Sequence, residues 1–184
     1  MMRKIVLLSA VFFAMSAAHA QSVVAAKSDI GFTIKQMGVK FDGRFRKWTA
    51  DIVFRPSALA ASKAVIDVDL GSIDLASDDS DAEAKGPLWF DTAKFPTAHF
   101  ASTAIRDVGV NRYEVTGKLT LKGITRDCIV PISVTSDASG SRIADGTFSI
   151  RRLDYKIGEG EWADTSTVDN DIVVHVKMTL APTS

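Results

Sequence analysis

From residue 28 onward the dominant hydrophobic period is two, and that period restricts the chain to β-strands with one dry and one wet face. Ile30, Phe32 and Ile34 alternate with Asp29, Gly31, Thr33 and Lys35. Ala64 to Leu70 alternate in the same way, and so do Tyr113 to Leu121 and Cys128 to Val134. Ala144, Phe148 and Ile150 form the next set, and Ile172 to Leu180 the last. Such strands belong to antiparallel sheets, because parallel sheets bury both faces. One segment changes parity. Val39, Phe41 and Phe45 are odd-numbered, whereas Trp48, Ala50, Ile52 and Phe54 are even. A bulge near Arg46-Lys47 restores a common inward face, and Gly43 upstream makes a kink cheap.

Turn residues punctuate the strands at Asp107 to Asn111, Lys122-Gly123 and Ser136 to Ser141. Two stretches do not alternate. Pro56 to Ala61 is Ala-rich and reads as a turn or two of helix. Ser77 to Phe90 carries a capping-box candidate at Ser80-x-x-Glu83, and Gly86-Pro87 stops the helix, which is placed near residues 78–86. About eight strands with short connections either close into a barrel or fold into a sandwich. The bulged long strand and the helix favour an antiparallel barrel, whose interior either is filled by side chains or holds one small ligand.

The N-terminus carries Arg3 and Lys4, an apolar run from Ile5 to Ala14, and a small-x-small site at Ala18-His19-Ala20. The apolar run is about half the roughly 20 residues that a spanning helix needs. Residues 1–20 are therefore read as a secretory signal peptide cleaved after Ala20, with one domain over residues 21–184. Removing Arg3 and Lys4 from the 22 basic residues leaves 20 against 22 acidic ones. That balance argues against nucleic acid and offers no polybasic handle for an anionic membrane. The one cysteine, Cys128, cannot form a disulfide within the chain and reads as a small buried hydrophobe.

Catalysis finds little support. His99 and His175 fall on the wet faces of their strands, and no nucleophile elbow or phosphate loop is present. Asp78, Asp79 and Asp81 suit a solvated helix N-terminus better than a cation loop.

Several blocks together resemble one family. They are Ser28-Asp29-Ile30-x-Phe32-x-Ile34, Gly43-x-Phe45, Phe54-x-Pro56 and Trp89-Phe90-Asp91-x-x-x-Phe95-Pro96-x-Ala98-x-Phe100-x-Ser102. Further along come Gly117-x-Leu119-Thr120-Leu121-x-Gly123-Ile124-Thr125-Arg126 and Phe148-x-Ile150-x-Arg152-x-Asp154-Tyr155-x-Ile157-Gly158. Their order and spacing resemble the YceI family of exported bacterial proteins over residues 25 to 180. The resemblance implies a lipocalin-like barrel in the periplasm with a long apolar interior that carries a polyisoprenoid or a similar long-chain, quinone-like amphiphile, with no metal or covalent cofactor. Some related domains are joined to, or act near, membrane cytochrome b561 proteins. The chain departs from the family at Ser80-Asp81-Ala82-Glu83, where many members read Arg-Asp-x-His, and in the Gly158 to Trp162 stretch.

On that reading the inward residues form the wall of a tunnel: Phe32, Ile34, Phe41, Phe45, Ile52, Phe54, Ile66, Val68, Phe100, Val115, Leu119, Leu121, Val130, Ile132, Phe148, Ile150, Val174 and Val176. Core packing among themselves is the plainer role for each of them. Trp89 and Phe90 either line a mouth or pin the helix to the barrel. Trp162 covers a barrel end or makes an interface. Arg152 and Asp154, two apart on one strand face, form a polar pair at a strand end or contact a ligand head group. Three functions remain open: a lipid carrier that is not an enzyme, an accessory protein of a membrane redox system without bound lipid, and an enzyme acting on an isoprenoid. A homodimer is the oligomer carried forward.

Overall fold

The computed structural model describes residues 21–182; the candidate signal peptide lies outside them. Among the described residues ten strands form one antiparallel sheet: β1 Asp29–Gln36, β2 Val39–Phe45, β3 Trp48–Val53, β4 Lys63–Asp69, β5 Ile73–Asp74, β6 Thr97–Gly109, β7 Arg112–Leu121, β8 Ile124–Ser136, β9 Arg142–Arg151 and β10 Asp171–Leu180. An α-helix, α1 Asp78–Lys85, stands between β5 and β6. The spatial order is β3-β4-β6-β7-β8-β9-β10-β1-β2-β5. The expected antiparallel, lipocalin-like all-β architecture is present. The count rises from about eight because the long segment from Val39 splits into β2 and β3, and because β5 is only two residues long.

The curled sheet is closed by two devices. At β3's free edge, Gln21 bridges Ile52, while Val23 bridges Leu180 of β10. On the other flank the chain changes partner at Arg46-Lys47, leaving β1 to pair with β4. That corner is tied down where Arg46 N–H donates to Ser72 O and Asp69 N–H donates to Lys47 O. The parity change read from the sequence is thus a break between two strands. A second inversion, at Thr103 of β6, was not foreseen: the register shifts between Ser102 and Ala104. It lets Phe100 and Ile105, five residues apart, both face inward.

Asp74 of β5 fastens the same corner. Its carboxylate accepts hydrogen bonds from Arg44 Nε at 2.9 Å and Arg46 Nε at 3.0 Å. The Arg44 bond foremost, with the Ala76 N–H and Arg46, holds its pKa below the ordinary 3.8. A carboxyl depressed by folding adds stability that is fully present above its unfolded pKa and is lost as pH falls through the folded value. Asp74→Asn should therefore lower stability at neutral pH and flatten the acid limb below about pH 4. Urea melts between pH 2 and 7 check this; an acid limb as steep as the parent's would contradict it.

Local signals held elsewhere. Ser77 caps α1 by accepting from Ser80 N–H, so the cap lies three residues before the Ser80 box, and Gly86 ends the helix as expected. Residues 59–61 form a single 3₁₀ turn. Met37-Gly38 and Lys122-Gly123 have positive φ at both residues, as tight hairpin turns require. The β8–β9 pairing covers only Ile132 to Ser136. Nearer its start, β8 is covered by the 3₁₀ turn Arg152–Tyr155, whose Asp154 carbonyl accepts from Arg126 Nε.

Cys128 lies buried on β8. Burial pushes its thiol up to about 11. About one molecule in a thousand is then thiolate at pH 8. A thiol-disulfide reagent should leave Cys128 intact in the folded protein and titrate it fully in denaturant; rapid native labelling would refute this.

Candidate functional site

The inward faces enclose a cavity of about 560 Å³. Strand registers give it two ends. The β6–β7 and β8–β9 hairpins lie where β10 finishes, since Arg142 pairs with Leu180 and Arg112 with Ser133. That end is filled: Met178 and Leu180 are buried, and Phe54 packs edge-on against Tyr113 at 5.0 Å. The β1–β2 hairpin and the 152–168 segment lie at the opposite end, where β10 begins. Gln36 bridges Val168 there, and Met37 N–H donates to Thr167 O. Among the described residues, the cavity-lining positions that are exposed to solvent are Phe41, Asp79, Ser80 and Glu83. The mouth therefore opens between the β1–β2 hairpin and α1.

All of the apolar candidates named from the sequence line this cavity, from Phe32 and Ile34 on β1 to Val174 and Val176 on β10. Phe41 does so while half exposed, at the rim. Val39, which shares its parity, points to solvent. Sequence reasoning missed lining positions such as Leu75, Ile105, Val168 and Met178. Ile105 was hidden by the Thr103 bulge; Val168 lies in a loop without alternation, where no period marks it.

Three strand glycines keep the cavity open. A Cβ at Gly43 would overlap the Phe32 ring, one at Gly117 the Phe100 ring, and one at Gly146 the Ile132 side chain. Each large side chain lies flat over a missing Cβ instead of projecting into the lumen. The role of Gly43 is thus close approach, and the chain bend falls at Arg46-Lys47.

Trp89 and Phe90 do both things the sequence left open. They line the cavity, and they anchor the segment after α1. Phe90 stands 6.1 Å from Phe45, and Trp89 stands 5.6 Å from Trp162. Trp162 Nε1 donates to Glu83 Oε1 at 3.0 Å, latching the 160s loop onto α1 beside the mouth. Gly158 and Glu159 N–H both donate to Leu88 O, and Lys122 Nζ donates to Pro87 O.

Arg152 and Asp154 require a correction. They lie in a 3₁₀ turn after β9, not on a strand face, and they do not pair with each other. Arg152 is 1% exposed. Its Nε donates to Asp169 O, Nη1 to Ile157 O and Gly158 O, and Nη2 to Trp162 O and Val168 O, at 2.7–3.0 Å. All five N–H donors are spent on backbone carbonyls, so none is left for a head group. The guanidinium also stacks 5.7 Å from the Trp89 ring, and burial pulls its pKa down. Asp154 is not among the lining residues; its turn docks on Arg126.

The histidines face outward. His99 Nδ1 lies 2.7 Å from Asp67 Oδ1, and His175 lies between Thr33 and Thr147. Among the described residues no cluster of three or more metal-ligating side chains occurs, and no helix is long and apolar enough to cross a membrane.

Comparison with known proteins places this geometry. A model of the YceI-like domain matches residues 22–180. A UPF0312 protein of Vibrio vulnificus is 33% identical over 137 residues, covering 73% of this chain and 70% of that protein. A Vibrio cholerae relative is 32% identical over 120 residues, and the match spans 64% of its length. The crystal structure of Burkholderia cenocepacia BcnA aligns with a TM-score of 0.83 at 35% identity, over 86% of this chain and 99% of that one. A polyisoprenoid-binding domain from Saccharophagus degradans, implicated in plant cell wall breakdown, shares the fold with a TM-score of 0.71 at 17% identity, over 89% and 99% of the two chains.

Proposed function

The chain belongs to the YceI-like domain family, and from that premise we propose that it is a periplasmic binding protein that holds a polyisoprenoid or similar long-chain amphiphile in its barrel. The observation that carries the reading is the cavity itself. It is about 560 Å³, walled almost wholly by apolar side chains, sealed at one end and open at the other. Pockets of about 300–1,000 Å³ suit one small ligand. Each buried CH₂ contributes roughly 0.8 kcal/mol, so a few isoprene units outweigh the cost of association. The fold shared with a polyisoprenoid-binding domain supports the same class of ligand. The chemistry asked of the protein is passive: it shields the tail from water and leaves the polar end at the mouth. Export is supported by the charged, apolar and small-residue order of residues 1–20.

Native mass spectrometry of the protein from a detergent-free periplasmic extract tests both parts. A discrete adduct of isoprenoid or fatty-chain mass on a chain starting at Gln21 is the expected result. A clean apo mass, unchanged after incubation with polyisoprenoids and quinones, would remove the carrier reading and favour an interaction role beside a membrane redox protein.

A further inference from the structure

Six large apolar side chains stand exposed among the described residues, and three of them share one hairpin. Met37 is 78% exposed, Val39 57% and Phe41 48%. Val39 and Phe41 have the same parity on β2, so the inward face of that strand continues past the barrel rim into solvent. Phe41 belongs to both surfaces: it lines the cavity and stands half exposed at the mouth. Met37 breaks two local preferences at once. It takes a left-handed turn position, φ 49°, ahead of Gly38, where Asn or Asp is the ordinary residue, and its side chain meets water. The Gln36–Val168 bridge and the Met37 N–H donating to Thr167 O at 2.8 Å hold the tip in place beside the mouth. On the outer face of the hairpin Lys40 pairs across the strands with Lys35. Lys35 is engaged by Asp169, whereas Lys40 takes no carboxylate among the described ion pairs.

From these features, and resting on the carrier reading above, we propose that the β1–β2 hairpin docks the protein on a phospholipid bilayer, where it exchanges its ligand. The occupant follows from continuity and charge. A long-chain amphiphile has hardly any free concentration in water, so an apolar stripe running unbroken out of its cavity meets the phase that holds it. Met37 and Val39 enter the acyl boundary, Phe41 stands at the mouth, and Lys40 reaches lipid phosphate oxygens with its stem along the apolar surface. Asp79 and Glu83 line the opposite rim and oppose an anionic surface, so the apolar tip leads the contact and no anionic lipid is needed. So small an insertion is reversible, and a loaded protein can leave. Val108 and Val110 are exposed too, but on the β6–β7 hairpin at the sealed end, where they provide a matched control.

The test uses the delipidated full-length mature protein, with Val39→Cys or the control Val110→Cys carrying the environment-sensitive fluorophore NBD; Cys128 is buried and escapes labelling. Vesicles of dioleoylphosphatidylcholine should blue-shift and brighten the label at position 39 and leave that at position 110 unchanged, at about 0.5 M salt as at low salt. The Met37→Asn, Val39→Asp double variant should take up geranylgeraniol from the same vesicles at least about tenfold more slowly, counted as adduct by native mass spectrometry. Delivered from methyl-β-cyclodextrin, geranylgeraniol should bind parent and double variant with equal affinity, which also shows that the variant is folded. No response at position 39, equal responses at both positions, or equal uptake from vesicles would overturn the docking proposal while leaving the carrier reading intact. A dimer that the double variant dissolves, with no response to vesicles, would overturn it in favour of a second copy of the chain on the hairpin. Failure of the parent to bind geranylgeraniol from cyclodextrin would overturn the carrier reading itself, and this proposal with it.

Discussion

Replacing Arg152 with Met should destabilise the protein by about 3–5 kcal/mol, the cost of breaking a buried charged network from one side. The reason is the number of groups that depend on it. The carbonyls of Ile157, Gly158, Trp162, Val168 and Asp169 all accept from this guanidinium. Without it they stay buried and unpaired, and the segment that walls one side of the mouth loses its central tie. A chain of this size melts about 2–4 °C lower per kcal/mol, so the midpoint should drop by about 6–20 °C. Arg152→Lys should recover little, because an ammonium offers three donors where the site takes five. Thermal and urea melts measure both variants. A loss for Arg152→Met below about 1 kcal/mol would show that water replaces the guanidinium cheaply, and that the network is not what holds the loop.

Val115→Trp should abolish lipid loading while leaving the fold almost as stable as before. Val115 sits mid-strand on β7, partly buried, with its side chain on the cavity wall. In a close-packed core an added indole forces neighbours off their rotamers and costs about 1–3 kcal/mol or more. Beside a cavity of about 560 Å³ the indole has somewhere to go. The expected outcome is a stability change within about 1 kcal/mol and at least about a hundredfold loss of affinity for a polyisoprenoid. Native mass spectrometry and a denaturant melt on one preparation read both quantities. Unchanged lipid loading would place the ligand elsewhere. A loss of several kcal/mol would mean that the interior is filled by its own side chains.

The lining was largely legible because a strand's period of two assigns each residue to a face without any knowledge of its neighbours. Phe32, Ile66, Leu119 and Val174 come from four strands far apart in sequence, yet each was placed by parity alone. Parity failed where it must. At Thr103 a bulge inverts the faces within β6, and no turn residue marks it. In the 152–168 segment there is no strand at all, so Arg152 was assigned a strand face that it does not have. Its neighbours in sequence gave no warning, because the partners of its guanidinium are backbone carbonyls, which look the same in every sequence.

The amino-acid sequence by itself determined an antiparallel, alternating sheet, an acidic helix near residues 78–86, and an inward set of side chains too apolar to face water. These are consequences of local stereochemistry and hydrophobic period, which act over a few residues. Tertiary structure decided what lies at the centre of that sheet. The cavity stays open because Gly43, Gly117 and Gly146 sit under Phe32, Phe100 and Ile132. It opens at one end because Arg152 gathers a loop beside α1 and Met178 and Leu180 close the other. Empty space is a property of how side chains from distant strands meet, and no local pattern encodes whether facing residues touch or leave a gap between them.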